Sequence, residues 1–221
     1  MIFIIDFDGT LAREDTVDAL LEAHADPAWR NLESDWIADR ITAQECMQRQ
    51  IGLVNADRIT LDRYFHGIEL DPDFGTFRRH VSGFAAVAIV SDGLDHAIHC
   101  ALRQAGLDGL PVFANHLRFL PDDRVELSFP HRKEDCGGGN GVCKCAVARQ
   151  LVAQHGGPVV LVGDGKSDAC LAAAADIVFA KGSLVRHCEA RGIAHTRVDG
   201  FADVLRAVEN WPIETRKLAN A

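Results

Sequence analysis

No segment of the 221-residue chain approaches the run of about 18–20 apolar residues that a membrane-spanning helix requires. Clusters of Lys or Arg are missing too, and acidic side chains outnumber basic ones 32 to 23, for a formal charge of −9. That balance argues against nucleic acid or an anionic membrane surface as a partner. A phosphorylated small molecule stays open, because a bound metal ion can reverse the local field. The start, MIFIIDFDGT, has no basic stretch and meets charge at Asp6, so it does not read as a signal peptide, and a cytoplasmic location is expected. Seven cysteines, an odd number, read as reduced thiols and not as a disulfide framework. There is no internal repeat and no low-complexity linker.

What is present suits a globular domain. Apolar residues make up 48% of the chain, a normal share that excludes disorder. The length exceeds the ~150 residues of an ordinary domain enough to suggest one domain with an insertion, or two small ones. Four short apolar runs, at residues 2–7, 85–90, 159–162 and 177–179, read as buried strands. Helical patterns occur at 95–105, 145–155, 169–175 and 201–209, with Gly106 and the Gly156-Gly157-Pro158 stretch as stops. Strands alternating with helices predict an α/β fold with a parallel sheet covered on both faces. Residues 14–80 break the alternation: they hold helical pieces at 16–24 and 42–52 and no convincing strand, which predicts a helical insertion. Residues 112–114, 117–120 and 125–129 read as short strands with a turn at Pro121-Asp122-Asp123, a small antiparallel excursion.

Four constellations carry potential chemistry. Asp6-Phe7-Asp8-Gly9-Thr10 follows the first strand, and strand alternation would put Asp6 and Asp8 on one side at its carboxyl end. Two adjacent carboxylates favour a cation or a shared proton, and magnesium, with its octahedral oxygen ligands, suits them. Gly163-Asp164-Gly165-Lys166-Ser167-Asp168 follows another buried strand and brings two more aspartates to the same edge. Ser91-Asp92-Gly93 ends a strand before a helix, where a hydroxyl and free backbone amides can hold phosphate. Lys144, after the glycine-rich residues 137–141, begins a helix, a position unfavourable for a cation unless an anion is near.

The ordered set DFDGT, VSDG, lysine, GDGKSD resembles the four motifs of the haloacid dehalogenase superfamily of aspartate-dependent phosphatases. The resemblance implies a three-layer α/β/α Rossmann-like core, residues 1–13 and 81–221, with a helical cap at 14–80. It further implies Asp6 as nucleophile and Asp8 as acid and base. Asp8, Gly9, Thr10, Ser91, Asp92, Gly93 and Lys144 would surround the phosphoryl group, with Lys144 also part of the catalytic set. Magnesium would be held by Asp6, Asp8 (through its backbone carbonyl) and Asp164, with Asp168 supporting the site. Because a dehalogenase lacks the second aspartate, and Asp8 would erase the signal of a phospho-receiver, a phosphatase is favoured.

The cap resembles that of the phosphoserine-phosphatase-like branch, in which Asp15 and Gln50 would face the substrate. Gln50 stands where phosphoserine phosphatases carry an arginine, and Asp92 replaces a glycine, so phosphoserine is a weaker fit. A closer likeness is to the methionine-salvage phosphatases acting on 2-hydroxy-3-keto-5-methylthiopentenyl-1-phosphate, through residues 41–53, Phe129-Pro130-His131 and the cysteine-rich loop before Lys144. The rivals are a phosphoserine phosphatase, a phosphotransferase of the same superfamily and a non-catalytic metal-binding scaffold. The expected partner is a small soluble phosphate; oligomeric state stays open. Cys136, Cys143 and Cys145, with His131, lack the usual paired spacing of a structural zinc site and read as reduced thiols. His96 and His99, one turn apart, read as a solvated helix face, and Trp29, Trp36 and Phe65 as packing within the helical insertion.

Overall fold

Successive residues of a strand face opposite sides of the sheet, and in β1 (Ile2–Ile5) both sides are buried. Ile2 and Ile4 join one apolar cluster, Phe3 and Ile5 another. This explains why the first strand reads as a continuous apolar run without alternation. The computed structural model describes residues 1–134, 136 and 141–211. Residues 137–140 of the glycine-rich stretch lie outside the described residues.

β1 is central in a seven-stranded sheet of order β4-β3-β2-β1-β5-β6-β7. The other strands are β2 (Ala86–Leu94), β3 (Val112–Phe119), β4 (Val125–Ser128), β5 (Val159–Gly163), β6 (Ile177–Ala180) and β7 (Thr196–Arg197). All pairings are parallel except that of β3 with β4. The antiparallel excursion is therefore present, with its first two expected strands joined into a single β3. Both residues of β7 are exposed, and it gives no apolar signal in the sequence.

Five helices occupy the chain between β1 and β2: α1 (Thr16–His24), α2 (Trp29–Ile37), α3 (Ala43–Ile51), α4 (Arg58–His66) and α5 (Phe74–Val81). Local signals start several of them. Asp15 and Asp57 accept backbone N–H bonds as caps, and Thr42 with Glu45 forms a capping box. α5 packs on the sheet beside β1. Phe77 meets Phe3 edge-on at 5.0 Å and Phe201 at 5.2 Å. Phe201 opens α10 (Phe201–Glu209), which covers the same sheet face.

The remaining helices are α6 (Asp95–Gln104), α7 (Lys144–His155), α8 (Ala169–Ala172) and α9 (Gly182–Arg191). α7, α8 and α9 cover the opposite face, packing on Ile2, Ile4 and Leu161. α8 is shorter than the expected 169–175, because Ala174 and Ala175 close it in turns onto the Leu171 carbonyl. No helix among the described residues is long and apolar enough to cross a membrane.

The strand order fixes where a ligand can sit. From β1 the chain moves outward through β2, β3 and β4, then returns to β5 on the other side of β1. Such a reversal opens a crevice at the carboxyl ends of the strands.

Phe77 is fully buried among aromatic rings. Phe77→Ala is expected to cost ~3–5 kcal/mol in urea denaturation, with the slope unchanged. A loss below ~1 kcal/mol would show that α5 is not part of the sheet core.

Candidate active site

β1 ends between β2 and β5: Ile5 lies beside Ile89 on one side and Val162 on the other, and β2 continues past it to Leu94. The backbone N–H of Asp6 continues the ladder to Val162 O at 3.0 Å, and its side-chain Oδ1 accepts the Phe7 N–H at 2.7 Å. β1 nevertheless ends at Ile5, so strand alternation does not govern the Asp6–Asp8 pair. The chain instead makes one wide turn, closed by the Ala12 N–H on Phe7 O at 2.8 Å. Gly9 turns it with φ +66°, and a Cβ there would lie 2.6 Å from Asp164 Oδ2. Glycine is required on both counts.

Behind Asp6 sits the buried Lys144. Its Nζ is 2.7 Å from Asp6 Oδ2 and 2.6 Å from Asp168 Oδ1, which supplies the anions that a lysine at the start of α7 needs. Asp168, fully buried, accepts at Oδ2 the N–H groups of Asp164 (3.0 Å) and Gly165 (3.2 Å). Its carboxylate is thus committed to holding the loop and the lysine. Asp164 Oδ1 accepts the Thr10 hydroxyl at 3.2 Å, and the Ser167 hydroxyl lies 3.5 Å from Asp6 Oδ2.

One oxygen each from Asp6, Asp164 and Asp168 fall within 4.8 Å of one another. Burial, then the charge of Asp168, pushes the Asp6 carboxyl up against the opposing pull of Lys144. Burial and Asp168 likewise raise Asp164. Burial alone would lower Lys144, but Asp168, Asp6 and Asp92 outweigh it and hold the ammonium above its ordinary range. Three close carboxylates against one ammonium form an oxygen-rich, electron-rich corner that fits a divalent cation such as magnesium.

The side chain of Asp8 stands outside that group. Its Oδ1 accepts both the N–H (2.9 Å) and the hydroxyl (2.6 Å) of Thr16, the first residue of α1. The Ser91 hydroxyl lies 3.5 Å from its Oδ2. Burial, then the charge of Asp15, raises the Asp8 carboxyl to about 6, with the Thr16 bonds pulling the other way. β2 runs through the Ser91-Asp92-Gly93 motif as far as Leu94, so Ser91 does not cap α6 as a serine before a helix would. Its pairing with β3 shifts between Val90 and Leu94, and such irregularities often lie beside functional sites. Ser91 Oγ accepts the Gly93 N–H at 3.0 Å. Asp92 Oδ1 accepts the Val142 N–H at 2.7 Å, tying β2 to the segment that enters α7. Asn115 of β3 donates to Asp92 O at 2.5 Å.

Asp6, Asp8, Ser91, Asp92, Gly93 and Asp164 line a cavity of about 410 Å³ that also reaches the inserted helices, with Lys144 and Asp168 behind its wall. Asp15, Asp18, Glu33, Trp36, Met47 and Gln50 contribute from that side. Asp15 also caps α1 through the N–H groups of Val17 and Asp18. Gln50 is buried and donates to Trp29 O at 3.4 Å. Burial, then Asp15 and Glu33, raises Asp18 to about 6. Lys166 is the only cationic side chain among the described lining residues. Trp36 lines the cavity, whereas Trp29 and Phe65 belong to the apolar core. Thr16, Ser167 and Asn115 escaped the sequence reading. Thr16 reads locally as a helix start, and Asn115 sits in a strand with no motif of its own.

The cysteines are free thiols. Cys136, Cys143 and Cys145 form no metal-ligating group with His131 among the described residues. His131 is occupied at its carbonyl by the Cys143 N–H at 3.0 Å.

No protein-family profile matches the chain. Individual proteins do. It is 30% identical over 206 residues to a 2-hydroxy-3-keto-5-methylthiopentenyl-1-phosphate phosphatase of an Exiguobacterium species, covering 91% of this chain and 94% of that one. The enzyme of the same name from Geobacillus kaustophilus is 27% identical, covering 96% and 97%. Among solved structures, a substrate-bound phosphoserine phosphatase superposes with a TM-score of 0.67 at 18% identity, over 93% of this chain and 97% of that one. A haloacid dehalogenase family hydrolase from Salmonella enterica gives 0.72 at 19%, over 96% and 72%. The two structures share the fold.

Lys144→Met leaves Asp6 and Asp168 buried without their ammonium, at an expected cost of ~3–5 kcal/mol in stability. Without that cation the carboxyl of Asp6, already raised, rises further. The penalty for burying its charge applies above that pKa and is relieved as pH falls through it. Urea denaturation without divalent cation should therefore give a larger deficit at pH 8 than at pH 5. Equal deficits would mean that the carboxylates are not the cause.

Proposed function

The chain belongs to the family of 2-hydroxy-3-keto-5-methylthiopentenyl-1-phosphate phosphatases, phosphoric monoester hydrolases of the haloacid dehalogenase superfamily, and from that premise we propose a mechanism built on Asp6. The protein hydrolyses a small-molecule phosphate by transferring the phosphoryl group to Asp6 and then to water. The observation that carries this reading is the pair of close contacts from Lys144 to Asp6 and Asp168. They hold a carboxylate in the lining of the cavity, with a fixed cation beside it.

Asp6 Oδ1 is tied to the Phe7 N–H and Oδ2 to Lys144, so the nucleophile cannot swing away from an incoming phosphorus. Magnesium, held by Asp6 and Asp164 with the Asp8 backbone carbonyl, would neutralise charge spread over the phosphoryl oxygens. Lys144, the Ser91 hydroxyl and the backbone around Gly93 act on the same charge, which is the main demand of phosphoryl transfer. Gly9 and Thr10 shape the turn beneath. Asp8, raised to about 6, is poised to give its proton to the leaving oxygen as the bond from phosphorus to that oxygen breaks. The resulting Asp8 carboxylate then takes a proton from water as the water attacks the phosphoryl-aspartate. Phosphate leaves, and Asp6 returns as a carboxylate. Thr16 keeps Asp8 oriented throughout.

The inserted helices α1–α4 act as the cap, contributing Asp15 and Gln50 and choosing the leaving group. Asp15, Asp18 and Glu33 meet the cavity, and no arginine is among its described lining residues. A leaving group bearing a carboxylate would encounter like charge there, which disfavours phosphoserine and suits the neutral leaving group of the relatives' named substrate.

Asp6→Asn is expected to abolish phosphate release while circular dichroism shows the fold intact, and chelation of divalent cation should silence the native protein reversibly. Persistent turnover in Asp6→Asn would remove the assigned nucleophile. In a panel of phosphorylated metabolites, kcat/KM for the methylthio substrate should exceed that for phosphoserine by roughly a hundredfold, equivalent to ~2.7 kcal/mol in the transition state. Comparable values for the two would overturn the specificity reading.

A further inference from the structure

A second group of metal-ligating side chains lies away from the carboxyl-edge cavity, where α4 packs on α6. Asp62 comes from α4, His96 and Cys100 from α6, and one donor atom of each lies within 4.8 Å of the others. His96 and Cys100 are four residues apart on one helix and so share a face. Asp62 Oδ1 is 2.5 Å from His96 Nε2, and Cys100 Sγ is 3.8 Å from the same nitrogen.

That both donors approach Nε2 discriminates between two uses of such a trio. In a nucleophilic relay the imidazole employs both nitrogens, one toward the acid and one toward the nucleophile. Here a single nitrogen faces the carboxylate and the thiol together, and one proton on it can serve only one of them. A cation on the Nε2 lone pair serves all three. We propose that Asp62, His96 and Cys100 bind one divalent transition-metal ion of the zinc type, with water in the fourth position.

The donor set and spacing fit that ion. Zinc takes sulfur, imidazole nitrogen and carboxylate oxygen in tetrahedral arrangement, and its bond lengths put ligating N and S ~3.5 Å apart. Cys100 therefore needs little movement. Asp62 Oδ1 must withdraw from His96 to ~3.3 Å, within reach of one rotamer adjustment. The surroundings hold the ligands in place. His96 has ring edges against Phe119 at 4.9 Å and Phe65 at 5.9 Å. Arg58 of α4, 3.8 Å from Asp62 Oδ2, occupies the second carboxylate oxygen and lays its guanidinium over Phe119. Cys100 is buried, while the His96 and Asp62 side chains are 22% and 36% exposed, which leaves an entry path from solvent.

Burial, then the charge of Asp62, raises the Cys100 thiol, so it holds its proton until the metal arrives. Binding replaces the S–H bond by a sulfur–metal bond and releases that proton to solvent; the proton between His96 Nε2 and Asp62 gives way to the metal, the ring binding with its proton on Nδ1, and nothing is oxidised or reduced. The ion would join a helix of the insertion to the helix that follows β2. It would do so with softer ligands than the all-oxygen corner at Asp6 and Asp164, so the two sites select different metals.

The test is a titration of the reduced, metal-stripped full chain with cobalt(II) as a spectroscopic probe, in excess magnesium. The expected result is saturation at one equivalent, with a near-ultraviolet thiolate-to-cobalt charge-transfer band and intense visible bands of tetrahedral cobalt. Cys100→Ser should lose the charge-transfer band, and His96→Gln and Asp62→Asn should lose stoichiometric binding. A variant with serine at positions 136, 143 and 145 should keep the whole spectrum. Absence of the band at one to two equivalents would overturn the site. So would a band that survives Cys100→Ser, or one that survives His96→Gln should the cysteine variant misfold.

Discussion

The ammonium of Lys144 lies buried between the carboxylates of Asp6 and Asp168, and much of the site's geometry follows from keeping those three charges together out of water. A buried ammonium is costly unless anions surround it, and buried carboxylates are costly unless cations do. Each charge is thus a condition for the others. Lys144 is the first residue of α7, Asp6 follows β1 and Asp168 follows β5, so the contact pins a helix and two strand ends to one point. The backbone amides of Asp164 and Gly165, donating to Asp168, extend that point into the loop after β5. One ammonium does not balance every carboxylate at this edge. The surplus negative charge makes the corner receptive to a divalent cation, and through it to an anionic substrate.

The inserted helices are coupled to that corner by a different bond. Asp8 reaches away from the other carboxylates to the first residue of α1, taking both the N–H and the hydroxyl of Thr16. The residue assigned to proton transfer is therefore also the one that registers the insertion against the sheet. At the far side of the cavity the insertion presents Asp15, Asp18 and Glu33. The enclosure is acidic on both sides, and Lys166 is the only cationic side chain among its described lining residues. Substrate choice in such a pocket works largely by exclusion, since like charge is easier to reject than one uncharged leaving group is to distinguish from another.

Much of this was legible in the residues. The apolar runs marked the interior strands because parallel strands buried on both faces carry no alternation. The Asp and Gly residues at their carboxyl ends marked the edge where the cavity lies. Lys144 was legible as an anomaly, a cation at a helix start. Other features were hidden for physical reasons. β7 has two exposed residues and no apolar signature. α5 belongs to the sheet core through Phe77, yet its sequence resembles the helices before it. Asp6 and Asp8 do meet one cavity, but a turn at Gly9 and not strand alternation brings them there, because the chain leaves the sheet after Ile5. Thr16 looks like any helix start until Asp8 is found against it.

The sequence by itself determined the alternation of strands with helices, the helical insertion and the kinds of polar group that follow the central strands, because periodicity and motif spacing are local properties of the chain. Only the tertiary structure decided which of those groups touch. Lys144 meets Asp6 and Asp168 across 138 and 24 positions of sequence (144 − 6 and 168 − 144). Asp62 meets His96 and Cys100 where two helices cross, a juxtaposition that no spacing along the chain encodes. Such contacts arise from burying apolar faces against one another, which brings distant residues together wherever the packing of those faces requires.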